Sequence, residues 1–174
     1  FYLKDKIEDF FMLKNFDLDI RIINDGKVIL NTGGGILNMM KSSSESNFLI
    51  LNPDTVWNKN YIKYIKNMEK FYFSNEVKNI LLLVKKNLSY DKKLKGDFNL
   101  IENKIRKDDQ NNLIYTGCQI INKNLFKSNT INNFSISEIW NELLHKNELY
   151  GYESAENFRH LSSLEAYNEI LKNK

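Results

Sequence analysis

Two kinds of hydrophobic periodicity alternate along the chain. Apolar residues at helical spacing predict helices over residues 2–13 and 58–72, after the glycines at 33–35, and after Ser135 and Ser162. Short apolar runs predict strands over residues 19–23, 47–52, 79–84 and 113–121, and in the segment "ELYGYES". The run "NILLLV" is apolar on both faces, as in a central parallel strand. This alternation predicts an α/β sandwich around a mostly parallel sheet.

Local signals refine these elements. Residues 58–72 place five apolar side chains at helical spacing, which predicts one buried stripe: Tyr61, Tyr64, Ile65, Met68 and Tyr72. Ser135 with Glu138, and Ser162 with Glu165, have capping-box spacing and predict two helix starts. Residues 85–112 are rich in Lys, Asn and Asp and predict an irregular insertion that carries a hairpin. No repeat or Pro/Gly-rich linker interrupts the chain, so we expect one domain over residues 1–174.

Composition narrows the class of protein. The chain has 174 residues, of which 42% are hydrophobic, enough for a globular core. Its formal charge of +3 is scattered along the sequence and does not indicate a nucleic-acid partner. The single cysteine, Cys118, excludes an internal disulfide and a Cys-based zinc site, and we expect it to be buried. No apolar run has the length of a membrane span. We expect no signal peptide, no membrane partner and a cytoplasmic location.

A run of three glycines is the first candidate for chemistry. Thr32 and Gly33–Gly35 come between a β-like run and a helical pattern, and they include three of the seven glycines in the chain. Backbone without Cβ atoms can lie against a flat nucleobase, and the following helix could offer free N–H groups. The alternative is a tight turn that needs a positive φ, which one glycine would satisfy.

Asp54 and His160 are the next candidates, because both follow predicted strands. Asp54 comes just after "FLILN", where a carboxylate could hold a divalent cation that bridges phosphate oxygens, although it could equally cap the next helix. His160 lies between a strand-like run and a capped helix, where it is either a metal ligand or a structural histidine. In contrast, His145 is expected at the surface.

Two further segments have the composition of ordinary turns. They contain Gly96 with Asp97, and Tyr115, Thr116 and Gly117. The lysines nearby indicate a solvated face, with the alternative that one of them meets a phosphate: Lys85, Lys86, Lys92, Lys93 and Lys95.

These segments together resemble the sugar-1-phosphate nucleotidyltransferases. The resemblance is nearest to the bacterial N-acetylmuramate-1-phosphate uridylyltransferases and mannose-1-phosphate guanylyltransferases. Seven collinear segments carry it over nearly all of the chain: "YLKDKIEDFF", "NTGGGILNMM", "FLILNPDTVW", "KGDFNL", "YTGCQIINKNLF", "FSISEIWNELLHKNELYGYES" and "FRHLSSLEAY". It implies a Rossmann-like, GT-A-like three-layer sandwich with a mixed, mostly parallel sheet. It also implies transfer of a nucleoside monophosphate from UTP or GTP to a sugar 1-phosphate, with Mg²⁺ as cofactor.

The resemblance also implies roles for individual residues. Thr32, Gly33–Gly35 and Asn52 would bind the nucleotide. Asp54 would be the catalytic metal ligand, and His160 would be the second ligand. The sugar phosphate would be bound by Gly96, Asp97, Tyr115, Thr116 and Gly117.

Departures from the family pattern set two further expectations. Asn31 replaces the usual Glu, His160 replaces an acidic residue, and Ser162–Leu164 replace Gly-Thr-Pro. The family's Gly-rich first loop has no counterpart, and the chain begins at Phe1 rather than Met. We therefore expect an N-terminally truncated domain, the C-terminal two-thirds of a transferase, which is catalytically inactive and poorly soluble by itself. The alternative is a non-catalytic regulatory or nucleotide-binding subunit.

Overall fold

In the computed structural model, which describes residues 3–126 and 132–172, six strands form one open sheet. They are β1 (Asn47–Leu51), β2 (Asn79–Lys85), β3 (Asn99–Ile101), β4 (Lys104–Arg106), β5 (Leu113–Asn122) and β6 (Tyr150–Ser154). Their order is β1-β5-β2-β6-β4-β3. The predicted α/β class and mixed sheet are confirmed, but the sheet is less parallel than predicted. Among the strands of the described residues, only β2 and β6 pair in parallel. β5 runs antiparallel to its neighbours β1 and β2, and β4 runs antiparallel to its neighbours β6 and β3.

Five α-helices accompany the strands in the described residues. They are α1 (Lys4–Met12), α2 (Asn31–Lys41), α3 (Tyr61–Ser74), α4 (Ile136–His145) and α5 (Leu164–Lys172). α1 confirms the first predicted helix, of which residue 2 lies outside the described residues. The strand predicted at 19–23 is wrong, since these residues form no regular element. A strand needs a hydrogen-bonded neighbour, which a short apolar run does not specify.

The chain divides into two compact units. The smaller comprises Phe1–Ser46 with Lys123–Trp140, and the larger comprises Asn47–Asn122 with Asn141–Lys174. The whole sheet belongs to the larger unit. One domain over residues 1–174 stays a prediction.

The core of the larger unit lies between α3 and one face of the sheet. Tyr61, Met68 and Tyr72 are buried there, as their helical spacing predicts, with Tyr64 and Ile65 packed at the margin. They meet alternate residues of two strands, Ile80 and Leu82 of β2 and Cys118 and Ile120 of β5. Burial of each large side chain contributes about 1.5–3 kcal/mol to stability. The buried stripe and the buried Cys118 are therefore confirmed.

α2 forms the centre of the smaller unit. Ile36, Leu37 and Met40 are buried on one of its faces. The Lys123 ammonium donates to the carbonyls of Met40 and Ser43, at 2.7 and 2.8 Å, which satisfies the C-terminal end of the helix. α1, in contrast, has no buried residue.

Helix caps and the insertion follow the sequence closely. The Ser135 N–H donates to the Glu138 carboxylate at 3.2 Å, which is half of the predicted capping box. At α5 the capping residue is Ser163, whose hydroxyl accepts the Ala166 N–H at 3.2 Å, and the prediction of Ser162 is wrong by one residue. The hairpin predicted within 85–112 is formed by β3 and β4. Among the described residues, no helix combines the length and apolar character needed to cross a bilayer.

Candidate functional site

The loop that follows β1 is fixed onto β5. Asn52 N–H donates to the Gly117 carbonyl at 2.8 Å, and the buried Thr55 hydroxyl donates to the Thr116 carbonyl, also at 2.8 Å. Asp54 lies between these two anchors and is only partly exposed. Because backbone and side-chain bonds hold both sides of the loop, the position of the Asp54 carboxylate depends on the shape of β5 at Thr116 and Gly117.

That shape is irregular at the point of contact. Leu81 pairs with Gln119 but Leu83 pairs with Tyr115, so β5 carries extra residues between these two pairs. Gly117 adopts a φ of +85°, and a Cβ there would lie 2.7 Å from the Asn52 Cβ. The position therefore requires glycine both for its conformation and for the close approach of the loop.

Asp54 and His160 lie side by side in this unit. The Asp54 Oδ2 and His160 Nε2 atoms are 3.1 Å apart. The backbones are also joined, since Leu161 N–H donates to the Asp54 carbonyl at 2.7 Å and Val56 N–H donates to the Arg159 carbonyl at 2.9 Å. Two residues that were predicted from separate segments are thus brought together.

The pair leaves two polar atoms without a protein partner. Asp54 Oδ1 and His160 Nδ1 are buried and form no hydrogen bond within the described residues. A buried carboxylate oxygen without a donor is costly unless a ligand satisfies it. The 3.1 Å separation of Oδ2 and Nε2 is close to the roughly 3 Å between adjacent ligands of a six-coordinate ion with bonds of about 2.1 Å.

The protein supplies few ligands beyond this pair. Within residues 3–126 and 132–172, no group of three or more His, Cys, Asp or Glu side chains could hold a metal ion. An ion at Asp54 and His160 would therefore take its other ligands from water or from a bound phosphate, which is common for Mg²⁺.

Asp97 lies against the beginning of β5. Its carboxylate accepts the Tyr115 N–H at 2.9 Å, and its own N–H donates to the Leu113 carbonyl at 2.7 Å. Desolvation raises the pKa of the Asp97 carboxyl, and the Tyr115 N–H and the Lys107 charge partly oppose this. Gly96 is packed so closely that a Cβ would lie 2.0 Å from the Asn111 carbonyl oxygen. Both residues have clear structural contacts, and their sugar-phosphate role stays a prediction.

The side-chain hydroxyls of Tyr115 and Thr116 are also buried within the protein. The Thr116 hydroxyl is buried and donates to the Leu82 carbonyl at 2.9 Å. Burial holds the pKa of the Tyr115 phenol well above its usual value. Contact between these residues and a sugar phosphate also stays a prediction.

In the smaller unit, the glycine run lies inside α2 rather than before it. Gly33 N–H and Gly34 N–H both donate to the Phe134 carbonyl, at 2.9 and 3.2 Å, so these two groups in the first turn of α2 already have a partner within the protein. A Cβ would lie 2.4 Å from the Phe134 ring at Gly33 and 2.1 Å from a backbone oxygen at Gly34. Only Gly35 has open space in this run. The Thr32 hydroxyl accepts the Ile136 N–H at 3.1 Å.

One feature near His160 is absent from the sequence predictions. A cavity of about 290 Å³ opens beside it, lined by Tyr90, Lys93, Arg159 and the start of α5 among others. The Arg159 guanidinium lies 4.9 Å from the centre of the Tyr90 ring. The lysine-rich loop predicts a solvated face, and its five lysines are indeed exposed. The Tyr90 ring, which contacts Arg159, belongs to the same loop, and no sequence motif predicts this contact.

Solved structures with a fold similar to that of this chain include three that each match nearly all of it. HddC from Yersinia pseudotuberculosis complexed with GMP-PN has a TM-score of 0.71 at 19% identity, covering 99% of this chain and 75% of HddC. The inositol-1-phosphate CTP transferase from T. maritima has a TM-score of 0.73 at 16% identity, covering 99% and 71%. UDP-glucose pyrophosphorylase from Acinetobacter baumanii has a TM-score of 0.70 at 12% identity, covering 98% and 68%.

The chain has a nucleotidyltransferase fold. Its α/β architecture with a mixed, open sheet is the Rossmann-like fold of these neighbours, and it spans roughly 70% of their lengths. No family model matches the sequence, and no curated protein matches it significantly. Since every identity is below 20%, the similarity establishes the nucleotidyltransferase fold and leaves the reaction and its substrates as proposals.

Proposed function

We propose that the chain carries the metal and substrate site of a sugar-1-phosphate nucleotidyltransferase. The reaction transfers a nucleoside monophosphate from UTP or GTP to a sugar 1-phosphate and releases pyrophosphate. The observation that carries the proposal is the 3.1 Å pairing of Asp54 with His160 at the end of β1, within a nucleotidyltransferase fold. The resemblance of the seven sequence segments supports the same reaction.

The proposed chemistry needs no protein nucleophile. A phosphate oxygen of the sugar 1-phosphate attacks the α-phosphorus of the nucleotide, a new P–O bond forms, and the bond to the β-phosphate oxygen breaks as pyrophosphate leaves. The protein then contributes positioning and charge stabilisation rather than covalent catalysis. The rigid attachment of the Asp54 loop to β5 suits this role, since it fixes the carboxylate before the substrate binds.

The donor set of the pair fits a divalent cation. Asp54 offers one oxygen beside the His160 nitrogen and a second, buried oxygen without a donor. The ion, when bound, neutralises phosphate charge. Mg²⁺ favours oxygen ligands, whereas an imidazole nitrogen suits softer ions, so Mn²⁺ is tested together with Mg²⁺.

The remaining assignments rest on the sequence resemblance. Thr32, Gly33–Gly35 and Asn52 are proposed to bind the nucleotide, and the open face of Gly35 is compatible with a ring placed there. Gly96, Asp97 and Tyr115–Gly117 are proposed to bind the sugar phosphate. Because the proposed reaction consumes a nucleoside triphosphate, the proposed location of the chain is the cytoplasm.

Substitution of Asp54 tests the proposal. Asp54→Asn is expected to weaken Mn²⁺ binding, followed by electron paramagnetic resonance, and metal-dependent UTP or GTP binding, followed by calorimetry, at least tenfold. Asp109→Asn is the matched control, because Asp109 is an exposed carboxylate in the loop before β5. A plain nucleotide-binding module would bind without metal, and Asp54→Asn would leave its affinity unchanged. Pyrophosphate release with several sugar 1-phosphates measures transfer, and tests the expectation that the isolated chain is inactive.

A further inference from the structure

We propose that Trp57 and Tyr61 hold Asp54 in place beside His160, and that the affinity of these two ligands for a divalent cation depends on the Trp57 indole N–H. Trp57 and Tyr61, called here the aromatic pair, lie in the larger unit together with both proposed ligands. They act through the backbone and are therefore positioning residues. The inference rests on the metal site proposed above and adds the residues that maintain its geometry.

Trp57 closes the loop that carries Asp54. Its Nε1–H group donates to the Asn52 carbonyl at 3.1 Å, so residues 52–57 form a closed loop with Asp54 inside it. An indole has a single donor, so this bond also fixes the direction of the ring. Without this N–H, the end of the loop at Trp57 could separate from Asn52 while Asn52 and Thr55 keep their bonds to β5.

Tyr61 connects Trp57 to the segment that carries His160. The rings of Trp57 and Tyr61 meet edge to face, with centroids 5.1 Å apart and planes at 82°. Tyr61 is buried, and its hydroxyl donates to the Asn157 carbonyl at 3.0 Å, shortly before His160 in the chain. A continuous series of contacts therefore joins Asn52, the aromatic pair and Asn157.

The His160 ring is restricted by a separate contact. It stacks on the ring of Phe158, with centroids 6.0 Å apart and planes at 19°. Phe158 is buried, its N–H donates to the Leu88 carbonyl and its carbonyl accepts the Tyr90 N–H, each at 2.9 Å. Loss of the aromatic pair should therefore displace Asp54 relative to a fixed His160. Ligands that are already in position before the ion arrives lose less conformational freedom on binding, so this displacement should weaken the affinity for metal.

Hydrogen exchange in metal-free buffer, followed by NMR, tests the role of Trp57. The Leu161 N–H donates to the Asp54 carbonyl at 2.7 Å, so its exchange rate reports whether the two segments stay joined. Trp57→Phe keeps an aromatic ring and removes the donor, and should speed this exchange about three- to tenfold. The Gly151 N–H, bonded to the Asn103 carbonyl, is the internal reference, because a general loss of stability would speed both amides alike.

Binding of Mn²⁺, followed by electron paramagnetic resonance, tests the consequence for the site. Affinity should fall about three- to tenfold in Trp57→Phe, the loss of one hydrogen bond. Tyr61→Phe removes only the oxygen that reaches Asn157, and should change Leu161 exchange and Mn²⁺ affinity in the same direction. Trp140→Phe is the matched control and should bind Mn²⁺ like the unmodified chain, because Trp140 is the second tryptophan and belongs to the smaller unit.

The outcomes separate this inference from the proposed function. If Asp54→Asn binds Mn²⁺ as tightly as the unmodified chain, the metal site is overturned, and with it the effect of the aromatic pair on metal affinity. If Asp54→Asn loses Mn²⁺ while Leu161 exchange or Mn²⁺ affinity is unchanged in both Trp57→Phe and Tyr61→Phe, only the role of the aromatic pair is overturned. Equal acceleration of the Leu161 and Gly151 amides would also overturn that role, because it indicates a general loss of stability.

Discussion

Gly117→Ala probes the contact that positions Asp54. The glycine lies in β5 where the Asn52 backbone meets it, and its φ of +85° is one that residues with a Cβ rarely adopt. A Cβ at this position would lie 2.7 Å from the Asn52 Cβ, 3.0 Å from its Cγ and 3.2 Å from its Nδ2. The substitution therefore strains the backbone of β5 and pushes against the loop that carries Asp54.

The expected loss of stability has two parts. The left-handed conformation costs about 1–2 kcal/mol for a residue with a Cβ. Overlap with Asn52, which cannot move without shifting its loop, costs about 1–3 kcal/mol more. The free energy of unfolding should fall by about 2–5 kcal/mol, which for a chain of this length lowers Tm by roughly 4–20 °C. Urea denaturation followed by circular dichroism measures the change.

Gly26→Ala separates the two parts. Gly26 has a φ of +80°, but no atom lies within 4 Å of the place that a Cβ would take, so its substitution should lose only the conformational share of about 1–2 kcal/mol. Asn52→Gly in the Gly117→Ala background removes the atoms that overlap and should recover part of the difference. If Gly117→Ala is no less stable than Gly26→Ala, the account of this contact is incorrect.

Three further outcomes are expected. Gly35→Ala should raise the free energy of unfolding by about 0.5–1 kcal/mol, because the glycine is helical with open space around it. Gly34→Ala should lower it, because a backbone oxygen lies 2.1 Å from the position of the added Cβ. The urea midpoints of the two variants should therefore move in opposite directions. Cys118, fully buried with its pKa raised to about 12 by burial, should resist alkylation at pH 8 until urea unfolds the chain, and equal rates in both states would contradict this. Burial also raises the pKa of Tyr61 from 10.0 to about 12. The stability that the protonated phenol contributes is therefore complete below pH 10 and is lost between pH 10 and 12. In unfolding measured against pH, Tyr61→Phe should lose less stability over this range than the unmodified chain.

The elements that could be predicted are those whose pattern repeats. α3 holds its apolar stripe over 14 residues, and β2 has six consecutive buried residues, so period and length determined both assignments. The failed strand at 19–23 shows the opposite case, because a strand exists only with a partner that its own residues do not specify. The direction of a strand cannot be predicted from its sequence either, since the side chains of β5 alternate in the same way whether it runs parallel or antiparallel to its neighbours.

The site divides in the same way. Asp54 and His160 could each be selected from the sequence because each is a potential ligand after a strand-like run. Their pairing depends on backbone bonds between the two segments, including Leu161 N–H to the Asp54 carbonyl, which no local pattern records. The cavity beside His160 could not be predicted, because the contact of Arg159 with Tyr90 joins two residues that are far apart in the sequence and belong to no motif.

The glycines of this chain show that a sequence motif can be identified correctly while its function stays undetermined. A run of glycines indicates that something approaches the backbone closely. At Gly33, Gly34 and Gly117 the atoms that approach belong to the protein itself, whereas at Gly35 the space is open. The hypothesis of a nucleobase against this run therefore rests mainly on Gly35. Because alanine there should stabilise α2, a loss of nucleotide affinity in Gly35→Ala could not be attributed to unfolding, and would have to come from contact with the ligand.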